Sequence, residues 1–295
     1  MTRVLVGVDT AGTYRPILSL LARMEFENLE IHLLNVMQSF LPDGSFPQLT
    51  PEHGMFKIFQ MIEEDGKAEL KWADKWCADH GIAARTFQGQ GDPALQLTQH
   101  AEKHECQLIA IRSQAKGNYG TLFFGSVAKG LVSGSSQSLL IVKNEHAETG
   151  KINAVLATDH SDYMGNCLTE LETLNPHGFG NLHVVTAFES IERIAPKYAE
   201  QISGLGEMER EQTLAELDRK NRLTIHKLEG MAESFESEVA QGHPNEAMNA
   251  AMKNTGSELL ILGAQGHNFF DRMKMGSKSF HQVVAEPHSV LVLRP

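Results

Sequence analysis

Apolar residues in this chain fall into short unbroken runs, separated by longer stretches in which they recur every three or four positions. Val4-Leu5-Val6, Leu108-Ile109-Ala110-Ile111, Leu139-Leu140-Ile141-Val142 and Leu259-Leu260-Ile261-Leu262 are such runs. Each is too short for a helix and suits a parallel strand covered on both faces. In the first half the pattern predicts strands near 3–8, 30–36, 83–88, 107–112 and 138–143. It predicts helices near 14–24, 55–80, 93–104 and 126–134. Ala94, Leu97 and Ala101 mark one buried helix face, and Ala247, Ala250 and Ala251 mark its counterpart. Pro93 and Pro244 suit a first helical turn. Phe280, Val283 and Val284 are spaced for the buried face of a last helix. Strands alternating with helices predict parallel sheets wound on both faces, in which ligands bind beyond the carboxyl ends of the strands.

The pattern repeats. Val4–Asp9 matches Ala154–Asp159 at an offset of 150 residues. Gly91-Asp92-Pro93 matches Gly242-His243-Pro244 at 151, and so do the fourth strands, Gly125-Ser126 with Gly276-Ser277, and the final strands. A register held over that length implies tandem copies of one domain. The first copy is placed at 1–146 and the second at 151–295, joined through the polar stretch 144–151. Two segments break the match. Met37 to Gly54, with Pro42, Pro47 and Pro51, reads as an irregular loop. Ser190 to Glu236 is expected to hold a solvated helix with Leu214, Leu217 and Leu228 on its inner side.

The stretch Leu259–Ser279 carries the most specific chemistry. A strand ends at Gly263, Gly266 follows, and nine residues later Gly276-Ser277 opens a helix. Glycines let backbone pass close to a bulky anion. A helix opening at Ser277 aims free N–H groups and a positive dipole end at it. The pattern G-x2-G-x9-G-S reads as a phosphate cradle. It is neither a Walker A loop nor G-x-G-x-x-G.

Composition narrows the partners. The chain has 295 residues, 41% hydrophobic and 21% charged, with a formal charge of −11. That charge argues against a nucleic-acid partner. It does not disable a local phosphate site built from backbone dipoles. The odd count of three cysteines, Cys77, Cys106 and Cys167, with no C-x-x-C, points to a reducing compartment. No apolar run approaches the ~18 residues of a membrane span, and a cytoplasmic location is expected.

At Gly263-x2-Gly266-x9-Gly276-Ser277 the chain resembles the ATP-binding signature of the universal stress proteins. The resemblance covers both halves: the first strand with its aspartate, the Gly-x-Pro before the third helix, and the apolar final strand. It implies two tandem Rossmann-like, five-stranded parallel-sheet domains, and an ATP-binding stress-response regulator. Carried over residue by residue, Asp159 and the backbone at Ala187 would meet adenine. Gly263, Gly266, Gly276 and Ser277 would hold ribose and phosphates, with Lys278 and Ser279 as further donors at the helix start. ATP is expected with Mg or Mn. A homodimer, an unknown regulatory protein partner, and pairing of the two copies through their final strands are also expected.

Alternatives stand beside several of these residues. Asp159 also suits a turn or helix cap. His267, next to Gly266, could meet a phosphate or stay in solvent. In the first copy Gly125-Ser126 persists, but Arg112 and Ala115 stand where Gly263 and Gly266 stand in the second. The first copy is therefore expected to keep the fold and lack the site, with Arg112 in a salt bridge or on an anion. His100 and His104, one helical turn apart, could share a metal face, but two ligands more often mean a solvated face. For function, the alternatives are a scaffold or small-molecule sensor that binds no nucleotide, and a slow ATP hydrolase or phosphotransferase. Asp271 is the only carboxylate in the spacer, so turnover beyond slow hydrolysis is not expected.

Overall fold

The computed structural model describes residues 1–38, 54–113, 125–189, 206–265 and 275–295. The chain divides into two compact units, Met1–Ala22 with Phe26–Glu148, and Arg23–Glu25 with Thr149–Pro295.

In the first unit the order is β1 (Thr2–Val8), α1 (Arg15–Arg23), β2 (Leu29–Met37), α2 (Gly54–Asp79), β3 (Ala83–Gln90), α3 (Pro93–Lys103), β4 (Leu108–Arg112), α4 (Ser126–Gly134) and β5 (Ser138–Val142). Its strands lie in the order β3-β2-β1-β4-β5, with parallel pairing throughout. The second unit runs β6 (Ile152–Ala157), α5 (Asp162–Leu174), β7 (Phe179–Phe188), α6 (Gly206–Lys227), β8 (Ala232–Gln241), α7 (Pro244–Thr255), β9 (Leu259–Gly263), α8 (Ser277–Ala285) and β10 (Ser289–Leu293). Its order is β8-β7-β6-β9-β10, again parallel. Chain direction across each sheet reverses between the first and fourth strands, so β6 and β9 flank the switch point of the second unit.

Burial follows the sequence pattern. Every residue of β9 is buried, as its unbroken apolar run requires. The outermost strands β3 and β8 alternate or are largely exposed, and there the sequence turns polar. Both Gly-x-Pro turns need their glycine, because Gly91 and Gly242 take φ of 121° and 137°. Asp92 and His243 then cap α3 and α7 by accepting from the backbone N–H groups of Leu95 and Asn245.

Some expectations are corrected. Ala250 is exposed, and α7 buries Ala247, Met248, Ala251 and Met252 instead. Ala94 is only half-buried; its Cβ packs against α4 at Gly130. Phe280 is exposed, and α8 turns Gln282 and Val283 inward. Gln282 tolerates this because its amide bonds Asn245 and its oxygen meets His288 at 2.9 Å. The described part of the Ser190–Glu236 segment holds α6 and the start of β8. Along α6, Leu228 is buried and Leu214 and Leu217 are half-buried, but Asn221 and Thr224 fill the inner row between them. The outer face carries Arg219–Glu216 and Arg222–Asp218 ion pairs, the solvated face expected of it. The irregular loop expected between Met37 and Gly54 lies almost wholly outside the described residues. Among the described residues no helix is long and apolar enough to cross a membrane.

Candidate functional site

A cavity of about 510 Å³ opens in the second unit beyond the carboxyl ends of β6, β7 and β9. This size lies within the roughly 300–1,000 Å³ typical of small-molecule sites. Asp159, Ala187, Gly263, Gly276, Ser277, Lys278 and Ser279 all line it. Of the sequence-derived site residues, Gly266 and His267 lie outside the described residues, as do Ala115 in the first copy and Asp271.

Each lining residue is placed by local structure. β6 pairs with β7 as far as Ala157 opposite Val185, and the N–H of Thr158 then donates to the Val185 carbonyl at 3.0 Å. Beyond that point β7 continues to Phe188 with only β8 beside it. In a strand, the backbone groups of alternate residues point to alternate sides. Val185 faces β6, so Ala187 faces the same side, past the end of β6 and into the cavity. Its N–H and C=O are therefore presented there without a sheet partner on that side.

Asp159 follows β6. Its Oδ1 accepts from the backbone N–H of Ser161 at 3.0 Å and from the Ser161 hydroxyl at 2.6 Å. Ser161 in turn caps α5, accepting from Met164 N–H at 3.2 Å. The aspartate is thus a turn residue and a cavity residue at once.

The glycine loop is closed at its base. The N–H of Gly276 donates to the Ala264 carbonyl at 2.8 Å, and the N–H of Ala264 donates to the Leu293 carbonyl at 3.0 Å. The Ser279 hydroxyl donates to the Gly263 carbonyl at 2.8 Å. Gly276 is the N-cap of α8 with φ −60° and ψ 151°, and no side chain caps that helix. The first-turn N–H groups of α8 therefore have no intrahelical acceptor, and Ser277 and Lys278 at this end line the cavity.

Gly263 acts through size rather than through positive φ. A Cβ at Gly263 would stand 3.3 Å from both Met164 Sδ and Cys167 Sγ. The residue is as much a packing requirement of α5 as an opening for a ligand.

Sequence reasoning missed a polar support behind the cavity. Asn221 of α6 is fully buried. Its Oδ1 accepts from the Thr186 hydroxyl at 2.7 Å and lies 3.0 Å from His160 Nε2, and its Nδ2 donates to the Glu238 carbonyl at 3.1 Å. His160 takes φ 55° to reach this position. Burial holds its pKa below the usual value, so the ring is neutral and bridges without adding charge. This knot ties α6 to β7 and β8. The apolar lining, including Val185, Leu217, Met248 and Leu262, was also unassigned from sequence. Its only signal was the general apolar pattern.

The equivalent place in the first unit is built differently. Arg112, at the end of β4, donates to the Asn144 carbonyl at 2.5 Å and pairs with Glu145 at 3.0 Å. It is the salt-bridged arginine, not an anion ligand. Asp9 is drawn into its own turn, accepting from the N–H groups of Ala11 and Thr13 and from the Thr13 hydroxyl. Asn35, which matches Thr186, is buried and donates to the Val8 carbonyl at 2.8 Å. Helix α2 approaches it so closely that a Cβ on Gly66 would fall 2.3 Å from Asn35 Oδ1.

A strand order of 3-2-1-4-5 with a crevice at the switch point defines a doubly wound parallel α/β protein. The universal stress protein family model matches residues 1–143 and again 153–294, and the chain belongs to that family. A curated relative, universal stress protein MJ0531 of Methanocaldococcus jannaschii, is 26% identical over 126 residues, spanning 40% of this chain and 74% of that protein. The solved structure of a universal stress protein from Archaeoglobus fulgidus DSM 4304 covers 99% of this chain and 98% of its own at 16% identity, with a TM-score of 0.67. That similarity extends the fold over both copies. A universal stress protein family protein from Arabidopsis thaliana, solved with AMP bound, covers 49% of this chain and 92% of its own at 15% identity, with a TM-score of 0.34.

Proposed function

We propose that this chain is a nucleotide-binding regulatory protein that holds one ATP, with Mg or Mn, in its second copy. The observation that carries the reading is the convergence of Asp159, Ala187, Gly263 and the Gly276–Ser279 helix start on one 510 Å³ cavity. The lining divides as a nucleotide divides. Backbone groups at Ala187 and the Asp159 carboxylate suit the edge of a base. Val185, Leu217 and Met248 suit its faces. The uncapped start of α8, the Ser277 hydroxyl and Lys278 suit phosphates. A divalent cation would offset phosphate charge when bound.

The first copy supports a single site. Arg112 is committed to its own salt bridge, and α2 packs closely against the buried Asn35. The role is binding that alters shape or partners. A homodimer and a regulatory protein partner belong to the same reading, by family resemblance.

Titration calorimetry of nucleotide-free protein with ATP and magnesium should give one equivalent per chain. Two equivalents would mean that the first copy also binds. No binding would favour a scaffold.

A further inference from the structure

His100 and His104 have a third partner that their spacing could not disclose. His32 of β2 brings its Nδ1 to 3.1 Å from His100 Nε2. One ring nitrogen from each of His32, His100 and His104 lies within 4.8 Å of the other two. Zn–N bonds of about 2.0–2.1 Å in a tetrahedron set ligand nitrogens roughly 3.3 Å apart, so the His32–His100 separation is already that of two ligands on one ion.

We propose that His32, His100 and His104 form a three-imidazole site for a borderline divalent transition cation of the Zn2+ type. The fourth position opens to the 230 Å³ cavity that His32 and His104 line.

Three further observations support it. His32 is buried, and its Nε2 makes no hydrogen bond, yet Glu30 Oε2 lies only 3.6 Å from it. With Nδ1 on a metal, the Nε2 hydrogen would face this carboxylate, the usual outer-shell partner of a ligating histidine. His104 is the C-cap of α3, and the negative end of a helix dipole favours a cation there. Phe87 packs at 4.4 Å and 5.3 Å from the His100 and His104 rings and holds them in place.

The surroundings also set what completes the site. Glu30 is bound by Arg85 at 2.7 Å and Arg3 at 3.2 Å, and Arg3 also meets Glu105. With Lys103, these cations line the cavity and favour an anionic fourth ligand over a neutral one. Cys106 Sγ is 3.8 Å from His32 Nδ1, but the group that closes within 4.8 Å is the three imidazoles. The choice of a borderline cation follows from imidazole ligands. The second copy cannot form the site: His183 replaces His32, but Ala251 and Thr255 stand at the positions of His100 and His104.

The test is Co2+ titration of the full chain, stripped with EDTA and free of nucleotide, with Zn2+ in competition. One equivalent of Co2+ should give the visible bands of four-coordinate cobalt, displaced by Zn2+, and Zn2+ should raise the thermal midpoint. His104→Ala, at a half-exposed helix end, should weaken cobalt binding by at least ~100-fold, more than the 10–100-fold typical of outer-shell changes. It should also abolish the midpoint shift while leaving the far-UV spectrum unchanged. His226→Ala, an exposed histidine of α6, should change neither readout. Wild-type protein without a stoichiometric cobalt band, or a band that survives both His104→Ala and His32→Ala, would overturn the site.

Discussion

At the end of the fourth strand, the first copy carries Arg112 and the second carries Gly263. That position separates how the two crevices are built. In the second copy the glycine lets Met164 and Cys167 of α5 close on the strand and leaves the crevice mouth free of side chain. In the first, the arginine crosses to Glu145 and spends its charge there. Elsewhere the contrast runs the other way. His100 and His104 on α3 face His32, where the second copy has only His183, set between Glu236 and Glu238. A duplicated scaffold has kept its sheet order in both halves while residues at its strand ends and helix faces have diverged. Strand registers are fixed by burial on both faces, so a one-residue slip would expose a whole apolar set. Strand ends and helix faces bear no such constraint and can diverge.

The comparison can be broken at three points. The largest effect is expected from Gly276→Arg, which puts a long cation into the start of α8. Loss of two or three charge-assisted hydrogen bonds at about 1.5–3 kcal/mol each lowers ATP affinity by at least ~100-fold. The matching Gly125→Arg, whose Cβ position is open, should leave the ATP isotherm unchanged. Equal losses in both variants would make the two crevices equivalent.

Next is Asn221→Ala. It leaves Thr186, His160 and the Glu238 carbonyl short of a buried partner. A cost of about 1–3 kcal/mol in urea unfolding is expected, with weaker ATP binding as α6 loosens. Unchanged stability would show that this knot is not what anchors α6.

The smallest effect concerns acid. Burial first, then the neighbouring His104, His32 and Lys103, lower the His100 pKa to about 4, against about 6.5 for an unperturbed histidine. The folded state therefore binds fewer protons than the unfolded one. The stability of the metal-free chain is full above pH 6.5 and declines as pH falls toward 4. His100→Gln should flatten that decline, measured as the urea midpoint against pH with EDTA present. A parallel curve would assign the acid sensitivity to other groups.

Much of this was legible in the chain itself. Unbroken apolar runs located the strands to within two residues, because central strands of a parallel sheet are buried on both faces. Gly276-Ser277 located a helix start, and Arg112 read correctly as a salt bridge. What stayed hidden was set by contacts between distant segments. Asn221 and Thr224 occupy an inner helix row usually apolar, so α6 showed no clean periodicity. Phe280 fits a buried face by spacing, yet Gln282 took that place because Asn245 and His288 satisfy its amide. His32 sits in an apolar strand 68 residues from His100, and nothing in its spacing links it to α3. Ala187 offers backbone alone, and only the family resemblance, not its residue type, pointed to it.

The hydrogen bond from Gly276 to Ala264 joins the two ends of the glycine loop independently of what lies between them. With the N–H of Ala264 in turn on the Leu293 carbonyl, the start of α8 is fastened to the ends of both β9 and β10, so the mouth of the crevice keeps its shape through backbone bonds that no exchange of side chains removes.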